Sequence, residues 1–207
     1  MPEVEQETGR TGVQRVKRLL EATLRFRLPY NAYQHSERVR LKMLTDEYET
    51  YDLNGDYLDE DGREVTRIYV ESKNLDGAGA QSAEFKRFLA QAYSATKLGL
   101  TEGADPKYEF MWATTCPWKG DGFRRVAEWT EVRDAARWDS DRDLNTQVAG
   151  RPLLRAVPER HVVDEDVARL VSSRIWVWVI SDRHEGMALG DKMRGWVYER
   201  LATESQP

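Results

Sequence analysis

The sequence is poor in the residues that build covalent and transition-metal frameworks. Cys116 is its only cysteine among 207 residues, which excludes a disulfide scaffold and a cysteine metal cluster. Histidine is scarce too: His35, His161 and His184 stand far apart, and His184-Glu185 lacks the second histidine of a zincin helix. No motif sets a histidine beside Cys116, which argues against a thiol nucleophile. No run approaches the roughly 20 apolar residues of a membrane span. The acidic start, Met-Pro-Glu-Val-Glu-Gln-Glu, has no apolar core of a secretory signal. The expectation is a cytoplasmic protein with no membrane partner.

What is present is a globular composition, 40% hydrophobic and 32% charged, rich enough in apolar residues to fold. The net charge of −5 looks unsuited to a polyanion, but it is unevenly spread. Between Arg10 and Lys42 lie nine basic residues and two acids, Glu21 and Glu37, so this window carries +7 and the remainder −12. Such a window is either a solvated surface or a face that tracks phosphates. On the second reading Arg15, Arg18, Arg25 and Arg27 are the candidate nucleic-acid contacts.

Hydrophobic spacing predicts the elements. Residues 1–10 read as a frayed tail. Val13, Val16, Leu20 and Leu24 recur at helical spacing, and Leu28-Pro29 ends that helix because the residue before proline resists the α conformation. Val39, Leu41 and Met43 alternate with Arg40 and Lys42 as a half-buried strand. A second strand is expected over 48–54, then an acidic hairpin region with Asp59-Glu60-Asp61-Gly62, then a third strand from Val65 to Lys73. Ser82 is placed to cap a helix with Phe85, Phe88, Leu89 and Ala92 on its buried stripe, closed by Gly99. Tyr108 to Thr115 reads as a buried strand. Further on, helices are expected around Val126–Ala136, after an Asp164 cap, and from Leu189 to Leu201. Ile175-Trp176-Val177-Trp178-Val179-Ile180 reads as a strand covered on both faces. The expected organisation is one α/β domain over 11–207, with a mixed-sheet core at about 11–116 and an α/β extension at 117–207.

The chemistry-bearing stretch is Tyr51-Asp52-Leu53-Asn54-Gly55 followed by Tyr69-Val70-Glu71-Ser72-Lys73. Residues two apart on a strand share a face, so Glu71 and Lys73 project together. A hairpin between the strands brings Asp52 across from Glu71 if the register allows. Glu49 and Asp56 are the rivals for the role of Asp52. Paired carboxylates suit a hard divalent cation, and a neighbouring ammonium suits the negative charge that develops in phosphoryl transfer.

Asp52, the Glu71-Ser72-Lys73 triplet and the order helix, three strands, helix, strand resemble the PD-(D/E)XK, or restriction-endonuclease-like, nuclease superfamily. The resemblance covers about half the chain, and Tyr51 stands where the family name has proline. It implies an α-β-β-β-α-β core, Asp52 and Glu71 as ligands of Mg²⁺ (Mn²⁺ as a substitute), and Lys73 as the catalytic lysine. It further implies a polar residue on the following helix, for which Gln91 and Lys86 are candidates, and in some members a glutamate on the first helix, here Glu21. The function implied is a metal-dependent endonuclease hydrolysing phosphodiester bonds of DNA, with RNA the lesser candidate, in restriction, phage defence or repair. Specificity would then come from a homodimer or a protein partner. A second reading keeps the fold as a catalytically silent nucleic-acid-binding or assembly subunit. A third makes a patch of Trp112, Trp118, Trp129 or Trp138 a docking surface.

Overall fold

Strict alternation along one ten-residue strand organises the protein. Glu64–Lys73 sends Ile68 and Val70 to one side of a sheet and Tyr69 to the other, as the two-residue period of a strand requires. In the computed structural model, which describes residues 2–73, 78–103, 107–115, 128–142, 147–148, 151–152 and 155–180, this strand is the centre of a five-stranded mixed sheet.

The described elements run α1 (Pro2–Thr23), β1 (Phe26–Asn31), a 3₁₀ turn (Ser36–Arg38), β2 (Arg40–Lys42), β3 (Tyr48–Thr50), β4 (Leu53–Leu58) and β5 (Glu64–Lys73). They continue through α2 (Ala78–Thr101), β6 (Tyr108–Thr114), α3 (Trp129–Asp141), β7 (Gln147–Val148), β8 (Arg151–Pro152), α4 (Glu165–Ser172) and β9 (Ile175–Val179). The sheet order is β1-β4-β5-β6-β9. β1, β4 and β5 form an antiparallel meander, while β6 and β9 run parallel to β5. The parallel step from β5 to β6 needs a crossover, which α2 supplies.

Two apolar layers cover the sheet. Val13, Val16, Leu19 and Leu20 of α1 pack on Leu53, Ile68, Val70, Met111 and Ala113. On the opposite face Tyr69, Phe110 and Trp112 pack against Phe85, Phe88 and Leu89 of α2, and α3 and α4 extend that layer through Val132, Ala136, Val167 and Val171. Each large side chain removed from water there stabilises the fold by about 1.5–3 kcal/mol. The second half is anchored by Asp139, whose Oδ1 accepts from Arg142 Nε at 2.8 Å and whose Oδ2 accepts from the Ala156 and Val157 amides at 2.7 and 2.8 Å.

Several expectations are corrected. The first sheet strand is Phe26–Asn31, around the Leu28-Pro29 pair read as a helix stop. The alternating segment expected as a core strand is β2, which pairs only with β3 in a separate ribbon. The expected tail is not a tail from Pro2 onward, because α1 begins there. Ser82 lies inside α2 rather than at its cap, and the helix runs past Gly99 to Thr101. β9 is the edge of the described sheet and half-buried, with Trp176 exposed. Asp164 does cap α4, accepting from the Asp166 and Val167 amides. Cys116, Trp118, Val126, His184-Glu185 and the expected helix Leu189–Leu201 lie outside the described residues.

Gly55 explains how a proline enters the sheet. The β1–β4 register shifts between Arg27 and Tyr30, a bulge of the kind that accommodates Pro29 in an edge strand. There the β1 backbone crowds Gly55 so closely that an added Cβ would lie 1.9 Å from the Arg27 carbonyl oxygen and 2.7 Å from Leu28 Cα. Gly55→Ala is therefore expected to force β1 away from β4 and to cost about 1–3 kcal/mol or more. A urea midpoint equal to that of the parent would show that the two strands are not in this contact.

Candidate active site

The β4–β5 register decides whether the acidic residues meet. Leu53 lies opposite Val70 and Asn54 opposite Tyr69. Carried one residue further, the same register sets Asp52 opposite Glu71. Asp52 lies at the bend where the chain leaves β3 and enters β4. Its carbonyl accepts from the Ala32 amide at 3.0 Å and its Oδ2 from the Ser72 amide at 2.8 Å. One residue thus pins together the ends of β1, β4 and β5.

Glu71 and Lys73 share the α2 face of β5. Lys73 Nζ lies 2.8 Å from Glu71 Oε1, 3.5 Å from Glu84 Oε2 on α2, and 5.8 Å from the Trp112 ring centroid. One turn along α2, Arg87 Nη2 donates to both carboxylate oxygens of Glu49, at 2.9 and 3.0 Å. The result is a continuous charged string across the strand ends: Asp52, Glu71, Lys73, Glu84, Arg87 and Glu49. It contains four carboxylates and two cations.

That imbalance appears in the ionisation of Asp52. Burial first, and the Glu71 charge second, push its carboxyl up to about 7, against the pull of the Ser72 amide and Lys73. Burial opposes the charge on Lys73, but Glu71, Glu84 and Asp52 outweigh it and hold the lysine above its ordinary value. Lys73 is therefore a permanent cation at neutral pH. Tyr51 lies just beneath, fully buried, with no hydrogen-bond partner on its hydroxyl among the described residues. Burial, then Glu49 and Glu71, keep that phenol protonated.

The other candidates are spread more widely. Gln91 is buried on α2, two turns or about 10 Å beyond Glu84, and the α2 residues that meet the charged string are Glu84 and Arg87. Lys86 is exposed and lies 5.8 Å from the Trp138 ring centroid. Glu21 ties α1 to β1 by accepting from the Leu28 amide at 3.0 Å. Asp56 pairs with Arg27 and Arg67 at 3.8 and 3.9 Å, four residues down β5 from Glu71. Glu49 joins the string through Arg87 without replacing Asp52.

The basic window divides in the same way. Arg25 lies 3.6 Å from Glu60, and Arg27 pairs with Glu64 as well as Asp56. Both sit at the hairpin end of the sheet, away from Asp52. Arg18 is exposed on α1. Arg15 alone of the four lines a pocket shared with Ser72 and Lys73. Among the described tryptophans of the expected patch, Trp112 is fully buried and the Trp129 ring has Arg169 over it at 3.8 Å.

Sequence reading missed Glu84, Arg87 and Tyr33. Glu84 and Arg87 are one turn apart beside the apolar stripe of α2, a spacing that carries no signal until α2 is docked. Tyr33 is exposed, with its hydroxyl against Gly9 of α1. Burial, then the Asp52 charge, raise its pKa.

The strain at Asp52 has a pH signature. Its folded pKa of about 7 exceeds the unfolded value of about 3.9, so the folded state holds more protons between the two. Stability should fall as pH rises from about 4 to 7 and level off above that. Asp52→Asn removes the effect. Without added metal it should stabilise the protein at pH 8 by something on the order of 2–4 kcal/mol, and by less than half as much at pH 5. Chemical denaturation at the two pH values measures both; equal gains would mean that Asp52 carries no ionisation strain.

Compared with protein-family models, with curated proteins and with solved structures, the chain matches none.

Proposed function

We propose that the protein is a Mg²⁺-dependent phosphodiesterase acting on nucleic acid, DNA in preference to RNA, with a restriction-endonuclease-like core. One observation carries the reading: at the end of the β4–β5 pair Lys73 Nζ lies 2.8 Å from Glu71, and the Asp52 carboxylate is held on the Ser72 amide between them, at the register position across from Glu71. The order α1-β1-β4-β5-α2-β6 supports it, since it has the α-β-β-β-α-β sequence of elements once the β2–β3 ribbon is counted as an insertion.

The residues fit a magnesium ion. Among the described residues no group of three or more His, Cys, Asp or Glu side chains is arranged to hold a metal. Mg²⁺ does not require one, because it takes one or two carboxylates and keeps several waters or substrate phosphate oxygens. Asp52 and Glu71 would hold it: burial first, and the Glu71 charge second, raise the Asp52 carboxyl to about 7, and a divalent charge would offset both. Bound there, the ion supplies Lewis-acid polarisation of a phosphoryl oxygen and a more acidic water.

The remaining work belongs to the protein. Lys73, held charged in the metal-free protein by Glu71, Glu84 and Asp52, would set its ammonium against the charge that builds on the phosphoryl oxygens. Glu71 orients that ammonium by accepting its hydrogen bond. Arg87, neutralised by both oxygens of Glu49, stiffens the α2 side of the site.

The test separates ligand from catalyst. Calorimetry with Mg²⁺ should show binding to the parent and to Lys73→Ala, and strong weakening in Asp52→Ala and Glu71→Ala. Plasmid or oligonucleotide cleavage should be lost in all three, by about 10²-fold or more. Cleavage that survives in Lys73→Ala, or a parent protein inert on DNA and RNA with Mg²⁺ and Mn²⁺, would defeat the reading.

A further inference from the structure

The turn that follows β1 is fixed from two directions. Asn31, buried at the end of β1, accepts on Oδ1 from the Tyr33 and Gln34 amides at 3.1 and 3.0 Å, and its Nδ2 donates to Gln34 Oε1 at 2.9 Å. Its carbonyl accepts from the His35 amide at 2.9 Å, and the Ala32 amide donates to the Asp52 carbonyl at 3.0 Å. An asparagine that ties down the amides following it gives a turn a defined shape. Because the turn is also bonded to Asp52, Tyr33 is displayed at a fixed place beside that residue.

The ring so displayed is open. Tyr33, Tyr48 and Trp176 are exposed aromatic side chains, but Arg40 lies over the Tyr48 ring at 4.9 Å and Trp176 meets the Phe26 ring edge-on at 6.1 Å. Tyr33 is 45% exposed, and no ring or cation among the described residues is stacked on it. Its hydroxyl end reaches α1, where a Cβ at Gly9 would lie 2.8 Å away. Glycine is a poor residue inside a helix, and here it leaves room for the phenol. Burial first, and the Asp52 charge second, raise the phenol pKa, which sets the two groups near each other. A tyrosine anchored at its backbone and at its hydroxyl has little freedom left to lose when a ligand covers the ring.

We propose that Tyr33 is a base-stacking platform and that the substrate is a nucleic-acid strand unpaired at the position of cleavage. The ring takes the base of a nucleotide next to the scissile phosphate, and that phosphate lies toward Asp52 and Glu71. The proposal rests on the nuclease reading for the reaction, whereas the platform itself rests on the turn. Every base has a π face, so stacking on tyrosine tolerates any sequence and needs no positive charge. That suits a site whose neighbours are Asp52, Glu71, Glu84 and Glu49, where a row of phosphates is repelled and a neutral base is not. A base inside a duplex is already stacked and paired, and it must be extruded at a cost before it can meet the ring. Single strands, flaps and loops are therefore the class of nucleic acid that this site takes in preference to a continuous duplex.

The experiment uses the full chain carrying Glu71→Gln to prevent turnover, and a fluorescent single-stranded DNA 12-mer read by anisotropy. Tyr33→Ala should weaken binding about tenfold and Tyr33→Phe by less than about twofold, with the thermal midpoint unchanged in both. The loss should be the same factor at low and at physiological salt, because stacking releases no counterions. Removing one base of the 12-mer at successive positions should weaken binding most at a single position, and Tyr33→Ala should abolish that difference. A duplex of the same sequence should bind more weakly than the strand, and Tyr33→Ala should narrow the gap. Binding as weak in Tyr33→Phe as in Tyr33→Ala assigns the effect to the hydroxyl and overturns the platform. Binding unchanged in Tyr33→Ala, when the parent binds and cleaves, also overturns it and leaves the nuclease reading standing. A penalty for the missing base that depends on Tyr33, in a parent that cleaves nothing, keeps the platform and overturns the nuclease reading. A 12-mer that the protein neither binds nor cleaves overturns both.

Discussion

The hydrogen bond from the Ser72 amide to the Asp52 carboxylate, 2.8 Å long, is the constraint on which the site depends. Asp52 is not part of a regular strand, and its place beyond the first β4 residue would leave its side chain free to turn to solvent. The Ser72 amide holds it against β5, and the Ala32 amide holds its carbonyl against the end of β1. A charge-assisted bond of this kind is stronger than a neutral one, and it is formed at the point where three strands end together. Once it is made, the carboxylate has little choice of neighbour, because the antiparallel register brings Glu71 across from it.

Two carboxylates so placed would repel strongly in a partly buried setting. The protein limits that cost in three ways. Lys73 sits between Glu71 and Glu84, Arg87 neutralises Glu49, and Asp52 keeps a proton near neutral pH. None of these removes the excess of acid over base along the string. A site left with uncompensated negative charge is costly for folding and receptive to a cation, and perturbed ionisation of this kind is concentrated at functional sites. The bidentate Glu49–Arg87 contact matters here because it links the β2–β3 ribbon to α2 and so fixes the helix that carries Glu84.

The parts of this arrangement that were legible in the sequence are those fixed by short-range geometry. Glu71 and Lys73 had to share a face because a strand repeats every two residues, and a hairpin had to bring Asp52 close. The Asp164 cap was legible for the same reason, since its amide partners are two and three residues away. What was illegible depended on distant partners. Leu28-Pro29 forbids a helix, but that it belongs to a strand depends on Gly55, which lets the bulged backbone approach. The alternation of Val39, Leu41 and Met43 is real, yet it is satisfied by a local ribbon, with Leu41 and Met43 buried against α2. Counting charges found the basic window but could not see that Arg25 and Arg27 would be taken up by acids of the β4–β5 hairpin. Gln91 and Lys86 were the candidates on α2, and that Glu84 meets Lys73 instead depends on which end of α2 approaches β5, which is set by the crossover to β6.

Strand alternation also gives the end of β5 two chemically opposite sides. Toward α2 stand Glu71, Glu84 and, through Arg87, Glu49; toward α1 stand Arg15 and Ser72, with no Asp or Glu among the described residues that line the pocket there. Residues 71, 72 and 73 are consecutive, and their placement follows from backbone geometry rather than from any movable loop. The two sides of the strand end are therefore built into β5 itself.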